Sequence, residues 1–303
     1  MKTLLPCLLW AAAAVAAPAV AATAYTLDDT EVHTLPAPAL KRDYELMVAL
    51  PASYAKAVDK RYPVVFVTDA GYGFPLLRAI ERHISGHSPQ MSEFIVVGLG
   101  YAKGDTPQYS RRRDYTPTAR GDRSAVSDMP GRAVVFGEAE AYRQHLVRDV
   151  FPFIAAHYRA DMQRKVLVGQ SYGGLFAAHV LLTEPSTFEA YLIGSPSLWF
   201  DRHVMQQRER DYAAQHRDLK AQVFLGVGGY EHPQPGSRNP RYDKSADMVG
   251  DMQAFAKTLR SRRYPALQLQ SKVYDGEDHL TLPPRFFTDG LMWVLGTPES
   301  RAP

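Results

Sequence analysis

Val166-Leu167-Val168-Gly169-Gln170-Ser171-Tyr172-Gly173-Gly174-Leu175-Phe176-Ala177-Ala178 decides how the rest of the chain is read. A β-branched run ends in Gly-x-Ser-x-Gly, and an Ala-rich helical pattern follows at once. That context predicts a sharp strand-to-helix turn with a serine at its apex, the arrangement called a nucleophile elbow. Such a turn holds the serine in a strained backbone conformation. Glycines at 169 and 173 fit because a Cβ at either place would meet the neighbouring strand or helix. The helix that starts behind the serine points its positive end at the site where negative charge would develop. The competing reading is a glycine-rich turn with an idle serine; the strand before, the helix after and the extra Gly174 favour the elbow.

Outward from this turn the chain alternates strands and helices. Val64-Val65-Phe66-Val67 and Phe94-Ile95-Val96-Val97-Gly98-Leu99 are continuous apolar runs, the pattern of strands buried on both faces of a parallel sheet. Ala190–Gly194, Ala221–Val227 and Leu267–Tyr274 read as further strands. Helical spacing marks Pro75–Ile84, Glu138–Tyr158 (with Pro152 expected to kink or divide it), Ala246–Leu259 and Phe286–Leu295. Thr68 to Gly73, with two glycines, reads as a loop. The segments His33–Leu35 and Tyr44–Leu50 suggest two antiparallel edge strands. Alternating strands and helices predict right-handed crossovers and a mostly parallel central sheet with helices on both faces. No internal repeat or linker appears, so residues 25–303 read as one domain.

Composition narrows the function. The chain has 303 residues, 46% hydrophobic and 22% charged, which suits one large α/β domain. A net charge of +3 is too small to argue for nucleic acid or membrane binding. Lys2 is followed by an apolar run from Leu4 to Val20, with small-residue cleavage sites ending at Ala21 or Ala24. Residues 1–24 therefore read as a secretory signal peptide, and a bacterial periplasm or exterior as the address. The single cysteine, Cys7, lies inside this segment. A mature chain without cysteine would have neither disulfides nor a cysteine nucleophile. No metal-ligand spacing stands out and no cofactor is implied.

In open α/β sheets the site lies at the carboxyl ends of the strands. The strand into the elbow ends in Ser171, the strand from Ala221 leads to Glu231, and the strand from Leu267 leads to His279. Ser, then acid, then His is the chain order of the α/β-hydrolase fold. A serine hydroxyl needs a base, His279, to take its proton; a carboxylate, Glu231, to orient the imidazole; and N–H donors for the oxyanion. Tyr172 offers one backbone donor, and Ala70 or a neighbour offers the second. His179 reads as structural and His232 as a rim residue. Asp278 adjoins the base and is poorly placed to reach its ring, and Asp275 is a supporting group at most. The residues leave open whether Glu231 completes a triad or a Ser–His pair works alone.

With these residues in place, the chain resembles the putative-esterase (esterase D-like) family of α/β-hydrolases. The resemblance rests on Tyr62 to Asp69, Gly169 to Gly174, Ser195-Pro196-Ser197-Leu198-Trp199, Gly228-Gly229-Tyr230-Glu231 and His279. Within the family it looks most like the exported esterases that open the trilactone of catecholate siderophores such as enterobactin. The resemblance implies Ser171 as nucleophile, His279 as base and the Glu231 region as the acid site. The chain has Asp69-Ala70 where the family usually has Asp-Gly, which bears on the loop that should carry the second donor. Other members cleave feruloyl, acetyl or thioester substrates, and a catalytically silent binding protein on the same fold is the rival from another class. Tyr101 to Arg132 has no sustained period and carries Arg111, Arg112, Arg113, Arg120, Arg123 and Arg132. It reads as a rim that would favour an anionic substrate near Ser171, against the plainer reading of a solvated loop. Tyr72, Tyr172 and Trp199 would suit flat aromatic rings, although ordinary packing under the loops explains them equally well.

Overall fold

All six residues of β3 (Tyr62–Val67) are buried, which only the middle of a sheet covered on both faces allows. Alternate side chains of this strand enter two different cores. Val64 and Phe66 join one, with Leu167, Phe176 and Tyr142; Val65 and Val67 join the other, with Val168, Phe74 and Phe286. The period of two thus sorts one strand between two helical layers.

The computed structural model describes residues 22–88, 90–122 and 124–297. The expected leader, apart from residues 22–24, and Arg123 lie outside the described residues.

Eight strands form one sheet in the order β1-β2-β4-β3-β5-β6-β7-β8. Beyond β3 they are β1 (Thr30–Ala37), β2 (Arg42–Ala49), β4 (Ile95–Ala102), β5 (Ala160–Gln170), β6 (Ala190–Gly194), β7 (Ala221–Gly228) and β8 (Leu267–Tyr274). β1 pairs with β2 and β2 with β4 antiparallel, and every other pairing is parallel. This is the α/β-hydrolase order. It brings the carboxyl ends of β3 and β5 to β8 to one edge.

The helices are α1 (Ala70–Ile84), α2 (Pro107–Asp114), α3 (Ala139–His145), α4 (Phe151–His157), α5 (Tyr172–Thr183), α6 (Phe200–Gln215), α7 (Met248–Arg262) and α8 (Pro283–Leu295). α1 and α8 supply Phe74, Leu77, Phe286 and Leu291 to one core; α3, α5, α6 and α7 supply Tyr142, Phe176, Met205 and Phe255 to the other. The helix expected over Glu138–Tyr158 is divided as its proline requires. A π-helical turn at Leu146–Val150 separates α3 from α4, and Pro152 sits in the first turn of α4, where a missing N–H costs nothing.

Two expectations need correction, and one helix was missed. Thr68 to Gly73 is not a loop: α1 already starts at Ala70, because Asp69 turns the chain with a left-handed φ of 53°. Gly73 is needed inside that helix, since a Cβ there would lie 2.6 Å from Val67. Tyr101 to Arg132 is not featureless, for β4 reaches Ala102 and α2 follows. Finally, α6 was not expected from the sequence, and its first turn is unusual: Asp201, Arg202 and His203 have φ of 44°, 55° and 62°. No helix among the described residues is long and apolar enough to cross a membrane.

Glu81 on α1 is buried. Desolvation raises its pKa from 4.5 to about 7, with Glu93 adding to the rise while the Ser85 hydroxyl, Arg82 and Arg78 oppose it. A carboxyl whose pKa is raised by folding contributes stability fully below its unfolded pKa and loses it as pH rises through the folded value. Glu81→Gln removes this loss. The variant should match the parent near pH 4 and exceed it at pH 8, by on the order of 2 kcal/mol. Thermal or urea unfolding across that range measures the gap; a gap independent of pH would contradict the assignment.

Candidate active site

β5 delivers Gln170, and the chain then turns through Ser171 with φ 59° and ψ −121° before α5 begins at Tyr172. A non-glycine residue in that region carries roughly 1–3 kcal/mol of strain, held in place by its surroundings. Ser171 N–H donates to Gly194 O at 3.0 Å, and Ser197 N–H donates to Ser171 O at 3.2 Å. Close packing explains the glycines. A Cβ at 169 would lie 2.2 Å from Gly173 O, and one at 173 would lie 2.1 Å from Thr68 Oγ1. One at 174 would lie 2.7 Å from Gly194 O. The turn therefore fits only if three small residues surround the serine.

The neighbouring strand ends supply the other two groups. Glu231 follows β7 on a turn closed by its own N–H to Gly228 O at 3.0 Å. Its carboxylate is only 1% exposed. Oε1 accepts from Ser195 Oγ at 2.5 Å and from Gly228 N–H at 2.8 Å. Oε2 faces His279 Nδ1 at 2.6 Å. A carboxylate on Nδ1 fixes the ring's orientation and leaves Nε2 pointing away from it. Ser195 is itself buried with a left-handed φ of 36°, the kind of strain that persists where the surroundings demand it. The Glu231 and His279 loops are stitched together by Gly229 N–H to Tyr274 O (2.9 Å) and Tyr230 N–H to Glu277 O (3.0 Å).

Gln170 ties the elbow to the histidine loop. Its buried side chain donates from Nε2 to His279 O at 2.6 Å and accepts from Tyr72 Oη at 3.4 Å. Asp278 turns away from the base. Its Oδ1 accepts from Leu280 N–H and Thr281 N–H, and its Oδ2 pairs with Arg241, which lies over the Tyr230 ring. His232 packs against Tyr242, and His179 is buried between Glu140 and Arg208. Neither reaches Ser171.

Two helix starts face the serine's surroundings. Tyr172 and Ala70 are the first residues of α5 and α1, so their N–H groups are among those a helix leaves without an internal partner. Asp69, just before α1, is buried and satisfied: Arg111 donates from Nε to Oδ1 and from Nη2 to Oδ2, both at 3.0 Å, and Tyr101 Oη donates to Oδ1 at 2.6 Å. Burial works against the Arg111 cation, but the Asp69 charge and its hydrogen bonds, with Tyr101 and Tyr115, together hold its pKa above the usual value. Burial, then the same carboxylate, push the Tyr101 hydroxyl well up, so it stays a donor.

Ser171, His279, Gln170, Asp69, Tyr72, Tyr101 and Arg111 line one cavity of about 550 Å³. Of the candidates, Ser171, His279, Tyr72 and Arg111 thus share the cavity, Glu231 lies against His279, and Tyr172 and Ala70 directly follow the lining residues Ser171 and Asp69; the remaining candidates are separated from them. Arg112 donates instead to Val126 O at 2.9 Å. Arg113 is buried away from the cavity, with Nε and Nη2 on Asp114 at 2.8 and 2.9 Å and Nη1 on Asp105 at 2.6 Å. Successive residues of a helix point about 100° apart, so three adjacent arginines on α2 cannot share one face. Trp199 borders a second cavity and does not line the first. Sequence reasoning gave no role to Ser195, Gln170 or Tyr101. Ser195 could have been noticed as the residue that ends a buried strand beside the elbow. Among the described residues no group of three or more His, Cys, Asp or Glu could hold a metal ion.

Arg113 is placed to hold the fold. Removing one partner of a buried pair leaves charge uncompensated, so Arg113→Ala should cost about 3–5 kcal/mol. Arg112→Ala should cost under about 1 kcal/mol. Urea unfolding of the two variants compares them directly; similar losses would place Arg113 at the surface.

With this geometry in place, the chain can be set beside known proteins. The family described as "Putative esterase" matches residues 37–279, from the end of β1 to the histidine on Glu231. Ferri-bacillibactin esterase BesA of Bacillus subtilis (strain 168) is 25% identical over 280 residues, covering 90% of this chain and 91% of its own. Siderophore enterobactin esterase of Emericella nidulans is 30% identical over 176 residues, covering 55% of this chain and 58% of its own. The crystal structure of an IroE-like serine hydrolase from Shewanella oneidensis has a TM-score of 0.73 at 26% identity, covering 87% of this chain and 79% of that one. The chain is an esterase with the α/β-hydrolase fold, and it belongs to this esterase family.

Proposed function

We propose that this esterase works through Ser171, that it is exported, and that its substrate is the trilactone of a catecholate siderophore. The observation that carries the serine chemistry is the 2.6 Å contact between buried Glu231 and His279 Nδ1, with His279 and the strained Ser171 lining the same cavity.

Attack begins when His279 Nε2 takes the proton from Ser171 Oγ as the oxygen bonds to the ester carbonyl carbon. The imidazolium that results lies against the Glu231 carboxylate, which has Ser195 Oγ and Gly228 N–H on its other oxygen. The carbonyl oxygen becomes an oxyanion between the N–H groups of Tyr172 and Ala70, at the positive ends of α5 and α1. Collapse breaks the bond to the leaving alcohol, which takes the proton from His279. Water then attacks the acyl-serine with His279 again as base; collapse breaks the bond to Ser171 Oγ, which takes the proton back from His279, and the freed carboxylic acid leaves.

The siderophore assignment draws on the two relatives, named as esterases of ferri-bacillibactin and enterobactin, and on a cavity walled by Tyr72 and Tyr101. Opening such a ring would weaken iron binding by undoing the preorganisation that holds the catechol arms together. Export rests on the N-terminal apolar run alone.

A fluorophosphonate probe should label the protein once, and Ser171→Ala should abolish both labelling and turnover. Glu231→Gln should lower kcat by about 10³–10⁴-fold with the fold intact. Persistent labelling of Ser171→Ala would exclude it as nucleophile, and near-normal turnover of Glu231→Gln would exclude the acid. In competition between ferric and iron-free enterobactin, feruloyl esters, acetylated sugars and nitrophenyl esters, kcat/KM should be highest for a trilactone. A higher value for a feruloyl or acetyl ester would replace the substrate while leaving the chemistry.

A further inference from the structure

Ser195 is a serine in a place that suits glycine. It follows β6, and its φ of 36° lies in the left-handed region, where a Cβ is crowded and glycine is at ease. The residue is fully buried, so water offers its hydroxyl nothing. A buried hydroxyl is unfavourable unless it is hydrogen-bonded. Among the described residues this one has a single hydrogen-bond partner, the Glu231 carboxylate, to which Oγ donates at 2.5 Å.

That donation holds the acid in register. Oε1 is engaged twice, by Ser195 Oγ and by Gly228 N–H at 2.8 Å, and Oε2 then faces His279 Nδ1 at 2.6 Å. The two donors stand on neighbouring strand ends, one after β6 and one closing β7. Turning the carboxylate away from His279 would break both bonds. Loss of the hydroxyl would leave Gly228 N–H as the one donor holding Oε1 among the described residues.

The backbone of the same segment holds the nucleophile. Gly194 O accepts from Ser171 N–H at 3.0 Å, and Ser197 N–H donates to Ser171 O at 3.2 Å. Between them, Ser195 N–H donates to Gly226 O at 2.7 Å. Residues 194–197 thus meet the elbow with their backbone and the acid with one side chain.

The backbone path alone gives no reason for a serine. A glycine at 195 would follow the same path without strain. The side chain kept there in spite of the strain has its one hydrogen-bond partner in Glu231, so its use lies with the acid.

We propose that Ser195 is a positioning residue of the reaction and acts through Glu231. Its hydroxyl fixes the carboxylate so that Oε2 stays on His279 Nδ1 and the base keeps the orientation that takes the Ser171 proton. The proposal rests on the serine mechanism proposed above. His279 serves as base both when Ser171 attacks and when water attacks, so loss of the hydroxyl slows both steps together and leaves KM little changed.

Ser195→Gly and Ser195→Ala separate this role from a backbone one. Glycine relieves the left-handed strain and alanine keeps it, while both remove the hydroxyl. Turnover of nitrophenyl acetate is counted per fluorophosphonate-labelled serine, so unfolded protein does not enter. Both variants should lose kcat by about 10–100-fold, the size expected for a hydrogen bond to a charged group, with KM little changed. Added to Glu231→Ala, Ser195→Gly should lower kcat by less than about two-fold further, because an effect carried by the acid disappears with it. Parent-like kcat in Ser195→Gly overturns the proposal, since that is what a backbone role gives. A further loss in the double variant as large as that of Ser195→Gly alone overturns it too, since a separate structural role is additive. If Glu231→Ala turns over like the parent, or Ser171→Ala still turns over, the mechanism itself fails and the proposal with it. A crippled Glu231→Ala beside a parent-like Ser195→Gly overturns the proposal alone and leaves the triad standing.

Discussion

The Glu231 carboxylate is the group around which the site is assembled. It is fully enclosed, and a buried carboxylate is tolerable only when its oxygens are satisfied. Its three partners come from three strand ends: Ser195 after β6, Gly228 at the end of β7, and His279 after β8. Ser195 is held by Gly226 O in turn, and β6 also receives the Ser171 N–H through Gly194 O. One buried charge therefore fixes the relative placement of loops that are distant in sequence. The parallel sheet makes this arrangement available, because it brings those strand ends to one edge. The serine and the histidine reach that edge on separate loops, and Gln170 ties the second to the first.

Much of this was legible in the chain because it rests on local patterns. Continuous apolar runs mark doubly covered strands, and Gly-x-Ser-x-Gly between a strand and a helix marks the elbow. Glu231 was legible only by its place after a strand; the buried setting that holds it on His279 includes Ser195, a residue whose type carries no special signal. The start of α1 was hidden for a related reason. Two glycines and a tyrosine read as a loop, yet Gly73 serves close packing on Val67 and Asp69 supplies the turn. α6 escaped notice because its first turn runs against the preference of its residues.

Charge was the least legible property. Arg111, Arg112 and Arg113 are identical in type and adjacent in sequence, and a charge count treats them as one patch. The helix sends them in three directions: one onto Asp69 at the cavity, one onto the Val126 carbonyl, and one into a buried cluster with Asp105 and Asp114. A guanidinium already paired with a carboxylate does little to attract a distant anion, so a count of arginines does not give the field near the site. Arg111 lines the Ser171 cavity and also braces Asp69, the residue just before α1 and the candidate donor at Ala70.

The central claim is that the ends of β3, β5, β7 and β8 compose one working site. A crystal structure of the protein after reaction with a fluorophosphonate tests it most directly. The account predicts phosphorus bonded to Ser171 Oγ, the phosphoryl oxygen within hydrogen-bond distance of both Tyr172 N and Ala70 N, and His279 Nε2 turned towards the adduct with Nδ1 still on Glu231. An adduct on another residue, or a phosphoryl oxygen turned away from both donors, would contradict it.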